Sequence, residues 1–297
     1  PPPPDTPPPR PPRNQLPRHR VAAPRPPRPD LEEVLGAVAS ENGRITPGLL
    51  VERLCAGGKR TRKGARALVR LLVDQGALCY TYIHGISFLE RAFAHPVSIT
   101  ATVVLKPPET YFPEMGDKKV INIEPGAAFG GGQHPTTRLA LEAMEWCFDR
   151  HPNRLTAPAG IGIDIGTGTG VLAIAAVKFG VPRVVATEID PVACWEARRN
   201  VALNGLSERI LVRVCPHPPL DQNAILITAN LRLPSLVDLR DAILEAVTPE
   251  AVLIFSGIRP GEVPQLLSAY SAGAVGLVYR KTEHNWSCVG FKKHGDR

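Results

Sequence analysis

Short apolar runs alternate with amphipathic segments from about residue 126 to the end of the chain. The apolar runs predict strands, and apolar positions at helical spacing predict helices between them. The predicted strands are Ile161–Ile165, Arg183–Ala186, Ile210–Val214, Ala224–Thr228, Ala251–Ser256, Gly276–Arg280 and Cys288–Lys292. The predicted helices are Val171–Phe179, Pro191–Asn204 and Leu236–Ala246. Strands that alternate with helices form a parallel sheet covered on both faces. The pattern therefore predicts a doubly wound, mostly parallel α/β domain over residues 126–297.

Residues 30–95 predict a smaller unit of three helices followed by a hairpin. The helices run from Leu31 to about Ser40 after an Asp30 cap, onward from a Thr46 cap, and from about Thr61 to Gln75, and the hairpin strands are Leu78–Ile83 and Ile86–Leu89. Asn42-Gly43 ends the first helix, and the hairpin turns at His84-Gly85. This order of elements resembles a winged helix-turn-helix domain.

Two segments lack this regular pattern. Residues 1–29 contain fourteen prolines and predict a disordered, proline- and arginine-rich tail. Residues 96–125 carry β-branched residues interrupted by prolines, which predicts an extended connector or a small β layer.

Charge is concentrated in two places. The tail holds six arginines against one aspartate, and residues 59–70 hold six basic residues and no acidic one, within a formal net charge of +7. Lys59, Lys63, Arg66 and Arg70 recur at helical spacing on the third helix, opposite the apolar stripe of Ala65, Leu68, Val69 and Leu72. This basic face is a candidate nucleic-acid contact, with a solvated charged face as the alternative.

Composition narrows the class of protein. No apolar run approaches the roughly 20 residues that a membrane span needs, and no secretory signal pattern opens the sequence. The six cysteines are scattered without a Cys-x-x-Cys pair, so neither a metal site nor a disulfide framework is predicted. We therefore expect a soluble protein of the cytoplasm that makes no membrane contact.

The strongest chemical signal is a glycine-rich loop between a predicted strand and a predicted helix. Gly166, Gly168 and Gly170 follow Asp164, and Glu188 ends the next strand. Glycines let a ligand approach the backbone, and a carboxylate at the second strand can accept the ribose hydroxyls of an adenosine ligand. The dinucleotide fingerprint requires Gly-x-Gly-x-x-Gly, but Val171 stands at its last position.

A second signal precedes this loop. Phe129 and three glycines lead into Gln133-His134-Pro135-Thr136-Thr137, which predicts a mobile flap and a threonine-capped helix starting near Arg138. His134 is a candidate base, with a structural hydrogen-bonding role as the alternative.

Taken in order, these motifs resemble the methyltransferases that modify large-subunit ribosomal protein eleven, which are class I S-adenosylmethionine enzymes. The matching runs are 124–130, 134–137, 164–170, 188–191, 229–231, 255–258 and 285–286, within about residues 120–293. Here Glu188 replaces the usual aspartate and the flap sequence differs. The family's own small recognition domain is not evident upstream, where the winged-helix-like unit stands instead.

The resemblance implies S-adenosylmethionine as cofactor and a protein substrate, possibly ribosomal. It implies cofactor contacts from Thr137, Gly166, Glu188 and Asn230, alongside the loop residues Asp164, Gly168 and Gly170, and a catalytic position for Asn230. His134 stays the candidate base beside it. The chain is thus predicted to be a protein-lysine N-methyltransferase. Two alternatives stay open. One is a nucleic-acid or small-molecule methyltransferase, although the run Asn230-Leu231-Arg232 disfavours methylation of adenine. The other is a non-catalytic binding protein with a degenerate cofactor fold.

Overall fold

The computed structural model describes most of the chain after the proline-rich tail. The described residues are 28–41, 44–75, 77–83, 86–91, 93, 95–113, 116–124, 126, 128–129, 134–216, 223–270 and 275–295. The tail up to residue 27, the predicted turns at 42–43 and 84–85, and residues 130–133 of the predicted flap lie outside these ranges.

The N-terminal unit contains three helices and a small antiparallel sheet. Its elements are α1 (Arg28–Ser40), β1 (Arg44–Ile45), α2 (Pro47–Cys55), α3 (Arg62–Asp74), β2 (Leu78–Ile83) and β3 (Ile86–Arg91). The strand order is β1-β3-β2. Helix α1 begins two residues before the predicted cap at Asp30, which lies in its first turn. Thr46 caps α2 as predicted, because its Oγ1 accepts from the amide of Leu49 at 3.4 Å.

A second small sheet follows, made of β4 (Val97–Ser98), β5 (Val103–Lys106) and β6 (Lys119–Asn122). β5 pairs with β4 in antiparallel and with β6 in parallel orientation. Val103, Leu105 and Ile121 are fully buried in the same core as the helices of the following domain. Residues 97–122 therefore form a β layer packed on that domain.

The large sheet has seven strands. They are β7 (Ile161–Ile165), β8 (Arg183–Glu188), β9 (Ile210–Val214), β10 (Ala224–Asn230), β11 (Val247–Ile258), β12 (Val275–Glu283) and β13 (Trp286–Lys293). The order is β12-β13-β11-β10-β7-β8-β9. The five strands from β11 to β9 are parallel, and β13 runs antiparallel to both of its neighbours. The predicted doubly wound, mostly parallel sheet is confirmed.

Helices cover both faces of this sheet. They are α4 (Pro135–Arg150), α5 (Pro152–Leu155), α6 (Val171–Phe179), α7 (Pro191–Leu203), α8 (Leu233–Asp238), α9 (Arg240–Ala246) and α10 (Val263–Tyr270). One core contains buried residues of α4, α6 and α7, and the other contains those of α8, α9 and α10. No helix in the described part of the chain is long and apolar enough to cross a membrane.

Two predicted helices differ clearly from those in the structure. The helix predicted over Leu236–Ala246 is two shorter helices that meet at Leu239. Helix α4 begins at Pro135 and not near Arg138, since proline is favourable in the first turn and the cap is His134 rather than a threonine. Helix α10 was not predicted. It buries Tyr270, whose hydroxyl donates to the carbonyl of Leu236 at 2.7 Å.

Candidate active site

The glycine-rich loop joins β7 to α6 at the carboxyl edge of the sheet. Gly166, Gly168 and Gly170 have φ angles of 67°, 54° and 84°, a region that side chains with a Cβ seldom adopt. The amides of Gly166 and Thr167 both donate to the carbonyl of Thr187 at 2.9 Å. The loop therefore has one fixed path, and each glycine is needed for that path.

Asp164 anchors the loop from below. Its side chain is 1% exposed and accepts hydrogen bonds at 2.6 Å from the hydroxyls of Thr167 in the loop and Thr228 on β10. Burial raises the pKa of this carboxyl to about 6, although the bonds from both threonines oppose the shift. Because both oxygens are engaged inside the protein, Asp164 holds the loop in place.

Glu188 stands at the end of β8 and faces the loop. One carboxylate oxygen accepts from the amide of Gly168 at 3.0 Å, and the other accepts from Ile189 at 2.8 Å and Asp190 at 3.2 Å. The side chain is partly exposed. These amides fix the carboxylate beside the glycines, where its remaining lone pairs can accept from a ligand.

The start of α4 meets the end of β10 on the same edge. The Asn230 amide donates to Thr136 Oγ1 at 3.1 Å and lies 3.5 Å from Thr137 Oγ1. Both threonines are buried, and Ser256 on β11 donates to the Thr136 carbonyl at 2.8 Å. The side chain of Leu231 lies beside Gly166, 2.6 Å from where a Cβ would stand. The Asn230 turn thus touches the glycine loop.

His134 has a structural role that its sequence context left open. Its Nδ1 lies 2.8 Å from Thr136 Oγ1 and accepts from the Thr136 amide at 3.3 Å, which caps α4. Its ring contacts Phe129 at 5.1 Å and Trp286 at 5.3 Å between centroids. The histidine is therefore fixed at the mouth of the site.

The segment from Asn122 to Phe129 is attached to α7 by residues that sequence analysis missed. Asn200 accepts from the Glu124 amide at 2.9 Å and donates to the Thr169 carbonyl at 2.8 Å. Asn204 exchanges two bonds with the backbone of Asn122, at 3.0 and 2.7 Å. The segment ends on the loop, where the Phe129 carbonyl accepts from the Thr169 amide at 3.0 Å.

Glu196 completes this row on α7. Its carboxylate accepts from the amide of Ala128 at 2.9 Å, and it fills the space that a Cβ at Gly126 would need. Glu196, Asn200 and Asn204 repeat every four residues and so share one face of the helix. That spacing was the only signal of their role in the sequence.

Two arginines flank Trp286 beyond Asn230. The guanidinium carbon of Arg259 lies 3.7 Å from the indole centroid and that of Arg232 lies 5.6 Å away. Arg232 and Arg259 follow the ends of β10 and β11. Sequence analysis matched Trp286 to a motif but did not assign these arginines to the site.

The predicted site residues form two groups at the carboxyl edge of the sheet. One group lies at the ends of β7 and β8 and contains Gly166, Gly168 and Glu188. The other lies where β10 meets the start of α4 and contains His134, Thr137 and Asn230. Gly170 differs from them, because a Cβ there would meet Ala197 of α7 at 3.5 Å. Within the described residues no group of three or more metal-ligating side chains is present.

The sheet order, the glycine loop and the strand-end acid define a class I methyltransferase fold. The family model described as "Ribosomal protein L11 methyltransferase (PrmA)" matches residues 90–294. The chain belongs to this ribosomal protein L11 methyltransferase family. The match includes β4, β5 and β6, which the sequence interpretation had placed outside the methyltransferase domain.

Individual relatives agree with the family model. The ribosomal protein L11 methyltransferase of Citrifermentans bemidjiense is 38% identical over 200 residues, which is 67% of this chain and 63% of that protein. The one from Geobacter metallireducens is 38% identical over 195 residues, 65% of this chain and 61% of that protein. The chain thus matches less than two thirds of these relatives' length. The crystal structure of ribosomal protein L11 methylase from Lactobacillus delbrueckii subsp. bulgaricus has a TM-score of 0.58 at 28% identity, covering 67% of this chain and 99% of that one.

Proposed function

We propose that this protein transfers a methyl group from S-adenosylmethionine to lysine amines of a substrate protein, and that the substrate is ribosomal protein L11 or a similar ribosomal protein. The observation that carries the proposal is the Glu188 carboxylate fixed against the glycine loop, with Asn230 on the other side of the same sheet edge. The names of the relatives support the substrate class.

The side chains and backbone of this site suit S-adenosylmethionine. When bound, S-adenosylmethionine supplies an electrophilic methyl group on its sulfonium sulfur. Glu188 accepts from the ribose hydroxyls, as acids at this position do in nucleotide-binding α/β folds. Gly166 and Gly168 let the cofactor lie against the backbone. Asp164 positions the loop through Thr167 and Thr228.

Asn230 orients the acceptor. Thr136 and Thr137 accept from its amide nitrogen. The amide oxygen is then left to accept a hydrogen bond from the incoming neutral amine. Methyl transfer is an in-line displacement that depends on alignment more than on strong acid–base groups. The fixed Asn230 is therefore the main residue that aligns the acceptor amine. A role for His134 as base stays a prediction beside its role as helix cap.

Residues 28–91 recruit the partner and add little to the chemistry. The family match begins only at residue 90, so this unit occupies the region in which the relatives differ from the chain. A separate recognition unit explains how one transfer site serves a particular protein substrate. A location in the cytoplasm stays a prediction.

Transfer of labelled methyl groups tests the proposal. Full-length protein, S-[methyl-³H]adenosylmethionine and purified L11 or whole ribosomes should give labelled methyl-lysine or a labelled N-terminal amine after hydrolysis. Asn230→Ala should lower kcat by roughly 100-fold, the scale of a lost transition-state contact. Asn153→Ala, at an exposed asparagine of α5, is the matched control.

The alternatives predict other outcomes. Label in RNA or in a small-molecule fraction, with none in protein, would favour the nucleic-acid or small-molecule methyltransferase. Absence of S-adenosylmethionine binding in calorimetry would favour a non-catalytic binding protein.

A further inference from the structure

Helix α3 and the turn before it carry a set of cationic side chains, which we call the α3 basic face: Lys59 in the turn, and Arg62, Lys63, Arg66 and Arg70 on the helix. All five side chains are exposed. No acidic residue occurs between positions 59 and 70. The residues from 62 onward recur at helical spacing, so they share one side of α3.

The helix holds this face rigidly. Ala65, Val69 and Leu72 on its opposite side are buried in the core of the N-terminal unit. Thr61 caps the first turn, with its Oγ1 accepting from the Gly64 amide at 3.2 Å. The charges are therefore carried on a fixed frame and not on a loop.

The acids of the unit leave this face almost uncompensated. Arg60, which is not part of the α3 basic face, forms ion pairs with both Asp30 and Glu33 of α1. Among the described residues, Arg62 of this face pairs with Glu52 at 3.8 Å, with both side chains more than 60% exposed. Asp74, also exposed, lies one turn beyond Arg70 on α3. Exposed pairs of this kind contribute little.

The position of α3 identifies the type of partner. The order α1-β1-α2-α3-β2-β3, with an antiparallel β1-β3-β2 sheet, is that of a winged helix-turn-helix unit, whose third helix is the one that enters a nucleic-acid groove. The small exposed residues Gly64 and Ala67 lie beside the cations and permit close approach. Lys63 to Arg70 spans about 10 Å along the axis, which suits a major groove about 12 Å wide.

We propose that the α3 basic face binds the phosphate backbone of double-stranded DNA. A DNA duplex presents a closely spaced, continuous row of phosphate charges along the length of this face. This binding goes beyond the methyl-transfer proposal and does not depend on it. Because the major groove of RNA is deep and narrow, the DNA duplex should bind more tightly than the RNA duplex.

Fluorescence anisotropy of the full-length protein tests the proposal with an 18-base-pair DNA duplex and an RNA duplex of the same sequence. With about four phosphate contacts, the affinity should fall roughly 100-fold between 50 and 200 mM salt. The triple variant Lys63→Ala, Arg66→Ala, Arg70→Ala should bind at least tenfold more weakly and reduce the salt slope by about three. Alanine favours the helix, so the melting temperature should be retained.

A matched variant removes three other exposed arginines, Arg183, Arg213 and Arg280, which lie on β8, β9 and β12. It changes the net charge equally and keeps the arginine-rich tail, so it should bind both duplexes like wild type. The proposal is overturned if wild type does not bind the DNA duplex, if it binds the RNA duplex at least as tightly, or if the two triple variants weaken binding equally. It is also overturned if poly-glutamate binds as tightly as the duplexes with the same dependence on α3.

Discussion

Asn200 links three parts of the fold, and its replacement gives the sharpest test of how the site is held together. The side chain is 1% exposed. It bonds the Glu124 amide in the 122–129 segment and the Thr169 carbonyl in the glycine loop. Asn200→Ala removes both bonds.

The size of the effect follows from these two bonds. Each lost hydrogen bond costs about 0.5–1.5 kcal/mol net, so the free energy of unfolding should fall by roughly 1–3 kcal/mol. Release of Thr169 also loosens the loop against which the cofactor lies. We expect the affinity for S-adenosylmethionine to fall about tenfold, which corresponds to about 1.4 kcal/mol.

Asn204→Ala is the matched control. Asn204 makes two bonds to Asn122 and one to the Asn200 carbonyl on the same helix, but it does not touch the glycine loop. It should lower the melting temperature while leaving cofactor affinity within about twofold. Calorimetric titration with S-adenosylmethionine and thermal unfolding separate the two quantities.

A third variant isolates the loop bond. Asn200→Asp keeps an acceptor for the Glu124 amide but, when ionised, loses the donor to Thr169. Burial raises the pKa of a carboxyl, so protonation restores a donor as the pH falls, and the affinity loss should shrink from pH 8 to pH 5.5. If Asn200→Ala and Asn204→Ala lowered the cofactor affinity equally, or if neither lowered it, the reasoning about the loop would be refuted.

Three further predictions concern the loop and its acid. Glu188→Ala should weaken S-adenosylmethionine binding by about 1.5–3 kcal/mol in calorimetry, whereas Glu208→Ala, at an exposed glutamate, should not; equal affinities would reject the assignment. Gly168→Ala should abolish cofactor binding, because residue 168 has a φ of +54° and a Cβ there would overlap the Phe129 carbonyl. The control Gly205→Ala, where φ is +68° and the space is open, should only lower the melting temperature. The pKa of Asp164 is raised by burial to about 6, so the stability from its protonated form is present below its ordinary 3.8 and lost as the pH rises through about 6. The stability deficit of Asp164→Asn in urea should therefore shrink between pH 4 and pH 7, and a constant deficit would contradict that shift.

The elements around the glycine loop could be predicted because their signals are local. Helix α6 and strand β7 have the bounds that the sequence predicted, since apolar runs and glycines define both ends. Helix α10 was missed because it is eight residues long and is stabilised by distant partners, such as the bond from Tyr270 to Leu236.

The site was predictable only in part for the same reason. Glu188 and Asn230 follow predicted strands, so their place at the carboxyl edge could be inferred. Asn200 lies in the middle of a helix, where a polar residue usually faces solvent, and its partners lie 76 and 31 residues away in the chain. Only the packing of the 122–129 segment against α7 shows what it does.

The N-terminal core bears on how such a protein arises. Its buried residues, from Val34 to Leu89, are contiguous in the chain and belong to neither of the cores around the large sheet. A unit of this kind can be replaced in a single recombination event between residues 91 and 97, without disturbing Asn200 or the glycine loop. Under the recruitment proposal, exchange at this junction would change the partner that the chain binds and leave the glycine loop unchanged. Related chains with unrelated N-terminal units should therefore differ in the partner they meet before they differ in the chemistry they perform.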